Sequence, residues 1–193
     1  MVRHGQSEWQ VHRDPTVKNA PLTVLGEQQA HQLGPYLAEA YAIDAIFASP
    51  LRRSHKTAMI AASYLGLPVT LDEDLREFDD WEAGWAPLPV SRWDMSPPTP
   101  HLNPGYEHFR AQVLAAMQRC VEPYLGDKTV LVVAHGGTIG VMLRILMGAD
   151  TPRTWIWNAA INMVEWDRPE REGSWIFHYM NQMDHLPTAM RTH

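Results

Sequence analysis

The chain has 193 residues, 45% of them apolar, with a net charge of −6 and a pI near 5.9. That length carries one domain with a real core, and the acidic balance excludes a general nucleic-acid or anionic-membrane binder. The single cysteine, Cys120, excludes an internal disulfide, and no apolar run approaches the roughly 20 residues of a membrane span.

In chain order, Met1-Val2 is a short apolar start that ends in Arg3-His4-Gly5. No signal peptide is expected, because Arg3-His4 interrupts the chain before an apolar segment can form, and a cytoplasmic location is expected. Leu22-Thr23-Val24-Leu25-Gly26-Glu27 reads as a helix entry with Thr23 as N-cap, and Ala30, Leu33, Leu37 and Ala40 recur at helical spacing. Ile43 to Ala48 predicts a short strand. Ser49-Pro50 follows as the cap and first position of a second helix, which runs to about Leu65. Val69 to Leu71 reads as another strand. Residues 78–104 carry six prolines and three tryptophans (Trp81, Trp85, Trp93), a composition of a loop or lid rather than a linker.

A helix is predicted from about Tyr106 to Tyr124, with Cys120 on it as a buried thiol. Lys128 to Ala134 is nearly continuous in apolar residues, as in a strand covered on both faces. Thr138 to Met147 predicts a helix, and Asn162–Trp166 with Trp175–Tyr179 a closing antiparallel hairpin. Alternating strands and helices imply a three-layer α/β/α fold with a mostly parallel central sheet, in one domain over 1–193.

Two places in this pattern carry chemistry. Arg3-His4-Gly5 and His135-Gly136-Gly137 each follow a strand, and ligands of open α/β sheets bind at the carboxyl edge. Glycine after each histidine lets backbone N–H groups approach an anion closely. Two histidines and an arginine over one sheet edge make a pocket for a phosphoryl group, with one imidazole free to attack phosphorus. The remaining eight histidines show no metal-ligand spacing and read as surface or capping groups.

These residues resemble the histidine phosphatase superfamily, with its phosphoglycerate mutase-like fold. The resemblance runs through Met1-Val2-Arg3-His4-Gly5-Gln6-Ser7-Glu8-Trp9 and Pro21-Leu22-Thr23 with Gly26 and Gln29-Ala30. It continues through Ser49-Pro50-Leu51-Arg52-Arg53 with Thr57-Ala58, Leu75-Arg76-Glu77 with Trp81-Glu82-Ala83-Gly84, and Ala134-His135-Gly136-Gly137. It implies His4 as the nucleophile that becomes phosphohistidine, and Arg3 and Arg53 as holders of the phosphoryl oxygens. His135 would stabilise their charge, and Glu77 would serve as general acid and then base. Gln10 and Gly136 would contribute to phosphate binding, and no metal or cofactor is implied.

The sequence also departs from the family pattern. Gln10 stands where the family often has asparagine, His12 to Ala20 lacks a glycine, and Gly140 stands where arginine is common. With only Met1-Val2 before Arg3, the true start is expected upstream of Met1. Between Glu77 and His135 the positive residues are Arg92, Arg110, Arg119 and Lys128, without an obvious clamp for a second acidic group. That favours a phosphatase over a mutase-type phosphotransferase, and the presence of His4 and Glu77 disfavours a non-catalytic phosphate-binding adaptor. The expected partner is a small-molecule phosphate ester, with no nucleic acid and no membrane; a homodimer is the assembly compatible with this reading.

Overall fold

The computed structural model describes residues 1–14, 16–78, 104–150, 152–167 and 173–193. The predicted lid with Trp81, Trp85 and Trp93 lies outside the described residues, as do Asp79, Asp80 and Glu82. The strands are β1 (Val2–Arg3), β2 (Ala45–Ala48), β3 (Val69–Leu71), β4 (Val130–Ala134), β5 (Ile161–Trp166) and β6 (Trp175–Gln182). The helices are α1 (Glu8–His12), α2 (Val24–Ala40), α3 (Arg52–Leu65), α4 (Pro104–Cys120) and α5 (Gly136–Met147).

The six strands form one sheet in the order β3-β2-β4-β1-β5-β6. The first four run parallel, while β5 is antiparallel to β1 and β6 to β5. Alternation along β4 divides the core. Val132 and Ala134 pack on the face covered by α4 and α5, with Phe109, Val113 and Ile139. Leu131 and Val133 pack on the other face, with Leu33 and Leu37 of α2 and Ala58 and Ala61 of α3. Side chains alternate across a strand, so a run of apolar residues buries both faces at once. Each fully buried Leu or Val contributes about 1.5–3 kcal/mol relative to exposure.

Three local expectations are corrected. The α3 cap is Leu51, not Ser49, and the helix begins at Arg52 rather than at Pro50. Ser49 turns inward instead, and its hydroxyl is engaged by His135 and by the Leu51 backbone. The helix predicted to Tyr124 ends at Cys120, and a 3-10 turn, Glu122–Tyr124, follows. Pro123 lacks the N–H that another α turn requires. His185 is buried rather than at the surface, and burial draws its pKa down to about 4.

Thr23 caps α2 as expected, accepting the Gly26 N–H at 2.9 Å. Cys120 is fully buried, and burial with the nearby Asp72 carboxylate pushes its thiol up to about 12, so it holds no thiolate at neutral pH. Among the described residues no helix is long and apolar enough to cross a membrane, and no group of three or more His, Cys, Asp or Glu side chains is placed to hold a metal ion.

Candidate active site

All four parallel strands deliver candidate site residues to one edge. Arg3 ends β1 and His4 follows it; Ser49 follows β2; Asp72 follows β3 and leads through a 3-10 turn, Glu73–Leu75, to Glu77; His135 follows β4. The carboxyl edge of the sheet therefore collects groups that are far apart in the chain.

His4 is 3% exposed, and both ring nitrogens are engaged. Nδ1 lies 2.6 Å from the Gly5 carbonyl, which can only accept, so Nδ1 carries the proton. Nε2 receives the Arg53 Nε–H at 3.1 Å, so Nε2 presents its lone pair. Burial, then Arg53, His135 and Arg3, hold the His4 pKa well below the ordinary 6.5, and the Gly5 carbonyl opposes this only in part. The ring is thus a neutral imidazole with one nucleophilic nitrogen, fixed in direction.

The loop that carries it is held by backbone packing. A Cβ on Gly5 would overlap the Gly26 carbonyl, and one on Gly26 would overlap the Gln6 carbonyl. The start of α2 therefore lies directly against His4-Gly5-Gln6. The Gly5 N–H donates to Thr57 Oγ1 at 3.1 Å, and the Gln6 N–H to Gln29 Oε1 at 2.7 Å.

Arg53 lies on the first turn of α3 and is 8% exposed, whereas Arg52 beside it is exposed. Helical geometry turns adjacent residues about 100° apart, so only one of the pair can face the sheet edge. Arg3 donates through one terminal nitrogen to the Ile156 carbonyl, and its Nε is buried without a partner among the described residues. Burial lowers the Arg3 pKa to about 10, Arg53 adds to that, and Glu77 opposes it; the guanidinium stays charged at neutral pH.

His135 precedes α5 and is fully buried, its ring edge-on to His4 with centroids 5.1 Å apart. Its Nε2 lies 2.8 Å from Ser49 Oγ, and its Nδ1 is buried without a partner among the described residues. Burial, with Arg53, Arg3 and Arg76, holds it well below the ordinary histidine range.

Glu77 accepts the Gly137 N–H at 3.1 Å through Oε2 and the Phe78 N–H at 3.1 Å through Oε1. It therefore sits at the amino end of α5 beside His135. Burial raises its pKa above 4.5, and these two N–H donors with Arg53 and Arg3 offset that in part. Among the described residues the neighbouring acids are occupied elsewhere: Glu73 pairs with Arg76, and Asp72 and Asp74 with Arg119.

Gln10 closes a capping box on α1, its Oε1 accepting the Ser7 N–H at 3.0 Å. Its Nε2 donates to Asn158 Oδ1 at 3.0 Å, which leaves one amide hydrogen. Gly136 packs beside Arg3, where an added Cβ would make ordinary contact with the guanidinium at 3.6 Å. A cavity of about 410 Å³ lies at the opposite end of the sheet around Met1, Tyr41 and Trp166, away from all of these side chains.

Four supports were not assigned from sequence. Asn158 is fully buried and donates through Nδ2 to the His4 carbonyl and to Gln10 Oε1, both at 3.1 Å. Thr192 Oγ1 donates to Asn158 Oδ1 at 3.1 Å and receives the Gln29 Nε2–H at 2.9 Å. Gln29 Nε2 also donates to the Met190 carbonyl at 2.6 Å, and Thr57 supports Gly5. A sequence signal exists for Thr57, one helical turn after Arg53; none exists for Asn158 or Thr192, which lie in irregular segments.

Taken as chemistry, the edge presents two guanidinium groups, two neutral imidazoles and a carboxyl group whose pKa burial raises. A site with that balance attracts a dianionic phosphoryl group and has both a nucleophile and an acid at hand.

Comparison with known proteins gives a consistent picture. The family model described as the histidine phosphatase superfamily (branch 1) matches residues 1–180. The chain is 30% identical over 190 residues to a Bacillus subtilis (strain 168) protein named phosphatase PhoE, covering 96% of this chain and 95% of the other. It is 28% identical over 207 residues to a Salmonella choleraesuis (strain SC-B67) protein named phosphoglycerate mutase GpmB, with coverages of 96% and 93%. Its fold is similar to that of Bacillus stearothermophilus YhfR, with a TM-score of 0.71 at 24% identity, over 95% and 96% of the two chains.

Proposed function

Because the chain belongs to the histidine phosphatase superfamily, we propose that it hydrolyses phosphomonoesters through a phosphohistidine formed on His4. The observation that carries this reading is the state of the His4 ring: Nδ1–H is tied to the Gly5 carbonyl, and the Nε2 lone pair faces Arg53.

In the proposed first step, His4 Nε2 attacks phosphorus as the bond to the leaving oxygen breaks, and Glu77 gives that oxygen its proton. Arg3 and Arg53 hold the equatorial oxygens, where guanidinium forks match phosphoryl geometry better than lysines. His135 donates a hydrogen bond to the same group, with Gln10 and Gly136 at its margin. In the second step water attacks phosphorus, Glu77 as carboxylate takes the proton, and the N–P bond breaks to release inorganic phosphate. Covalent attack divides one difficult displacement into two easier ones.

The mutase reading asks for free positive side chains to hold a second acidic group. Of the candidates between Glu77 and His135, Arg110 pairs with Asp150, Arg119 with Asp72 and Asp74, and Lys128 lies over the Tyr124 ring. Arg92 lies outside the described residues. These pairings favour hydrolysis over transfer to a second acidic group, with a small-molecule phosphate ester as the proposed substrate and one domain spanning the chain.

Rapid quenching during turnover of an aryl phosphate tests the proposal. An acid-labile, base-stable phosphoprotein is expected in the wild type and none in His4→Ala, which should also lose on the order of 10³-fold or more in kcat. Turnover should persist in chelator. Full activity of His4→Ala, or activity restored only by an added divalent metal, would reject the mechanism.

A further inference from the structure

We propose that Ser49 is a positioning residue that fixes the tautomer of His135, so that this imidazole meets the phosphoryl group as a neutral donor through Nδ1–H. The inference rests on the proposed hydrolysis for its purpose, though not for its geometry.

Ser49 leaves the end of β2 fully buried. Its backbone N–H donates to the Val133 carbonyl at 3.1 Å, which locks it to the end of β4, one residue before Ala134 and two before His135. Its Oγ accepts the Leu51 backbone N–H at 3.3 Å and lies 2.8 Å from His135 Nε2. A hydroxyl has one proton to give and two lone pairs to offer.

Two arrangements are open to this chain of three groups. If His135 carried its proton on Nε2, Ser49 would accept from both neighbours, and its own proton would have no acceptor among the described residues. A donor left unpaired at a position of zero exposure is the costly arrangement. If Ser49 donates to Nε2, the Leu51 N–H goes to Oγ and the hydroxyl proton goes to Nε2. The one donor left unpaired is then the ring N–H at Nδ1, which an anionic oxygen of the substrate can accept, whereas the Ser49 proton, held between Leu51 and His135, would have none. Nδ1 is buried with no partner among the described residues, a condition it shares with Arg3 Nε. Together they are the two donors that the site holds ready for anionic oxygens.

The surroundings also keep the ring from taking a second proton. His135 stands at the amino end of α5, the positive end of the helix dipole, and Arg3 and Arg53 lie close by. A neutral donor stabilises charge as it develops without first having to be protonated in a buried site.

The experiment is a nitrogen-15 spectrum of the histidine rings of the full chain at pH 7. A protonated-type Nδ1 and an unprotonated-type Nε2 are expected for His135, with the Nδ1 resonance moving when orthovanadate is added. A proton on Nε2, or a doubly protonated ring, would overturn the assignment. In Ser49→Ala the ring should become a mixture of tautomers, with kcat reduced about 10- to 100-fold and KM within about 2-fold of wild type. Ser49→Thr keeps the hydroxyl and should restore most of kcat. Wild-type turnover and an unchanged spectrum in Ser49→Ala would reject the proposal. Should Ser49→Ala fail to fold, the wild-type spectrum decides by itself. A wild type with Nδ1–H that hydrolyses no phosphomonoester would instead count against the proposed function, so the two ideas fail separately.

Discussion

In the proposed cycle Glu77 serves first as acid and then as base, so it must exchange its proton within one turnover. Burial raises its pKa, while the N–H groups of Gly137 and Phe78, with Arg53 and Arg3, oppose that rise. General acid catalysis contributes about 10²–10⁴-fold, and that contribution shrinks when the leaving oxygen needs no proton. Glu77→Gln should therefore lose most of its activity on an alkyl phosphate and much less on a nitrophenyl ester. Rates on the two substrates, measured side by side, check this; equal losses would indicate a structural role for Glu77. The raised pKa also has a kinetic sign. In the proposed mechanism protonated Glu77 serves the first displacement, so kcat/KM should decline on the alkaline side of that pKa, and this decline should vanish in Glu77→Gln.

At the scale of elements, the site depends on a short loop pinned from three directions. The start of α2 presses on it through Gly26, Thr57 of α3 holds the Gly5 N–H, and the segment Met190–Thr192 reaches it through Asn158 and Gln29. Gly26→Ala would drive a methyl group into the Gln6 carbonyl, and backbone on both sides leaves little room to yield. A loss of about 1–3 kcal/mol in stability is expected, readable as a lowered urea midpoint. Thr192→Val removes one hydroxyl that links Asn158 to Gln29 without changing side-chain volume greatly. It should lower kcat several-fold through a looser His4 loop, with a stability change of about 1 kcal/mol. Unchanged kcat alongside lowered stability would show that the C-terminal segment braces the fold only.

For the molecule as a whole, the buried histidines set its response to acid. His4 and His135 are held well below the ordinary 6.5, and His185 at about 4, all chiefly by burial. Their folded-state pKa values are depressed, so the unfolded chain binds more protons than the native one once pH falls through about 6.5. Stability is fully present above that value and is lost progressively below it. Glu77, with a folded pKa raised above 4.5, acts in the opposite sense as pH falls through it and offsets the loss in part. Each fully linked proton changes stability by about 1.4 kcal/mol per pH unit. Urea midpoints should thus fall steeply between pH 6.5 and 5, and the fall should be shallower in His185→Gln. A flat profile over that interval would show that these imidazoles take up protons without penalty.

Much of this arrangement could be read from the chain alone, because it rests on local pattern. Alternating apolar runs and helical spacing determined the order of strands and helices and the mostly parallel sheet. Arg3-His4-Gly5 and His135-Gly136-Gly137 determined which strand ends carry the chemistry. The spacing within Ser49-Pro50-Leu51-Arg52-Arg53 matched the family position at Arg53, and the geometry of the first turn of α3 places that arginine rather than Arg52 beside His4. What only the tertiary structure decided are relations between distant groups. The partner of Ser49 is such a relation: as a sequence feature it reads as a helix cap, and only the pairing of β2 with β4 sets it against His135. Asn158 and Thr192 reach the His4 loop across the fold, from irregular segments with no periodicity to reveal them. The ionisation of His4, His135 and Glu77 belongs to the same class. A side chain's identity fixes its ordinary pKa, but the shift depends on burial and on charges brought close by folding, and neither is a property of neighbours in sequence.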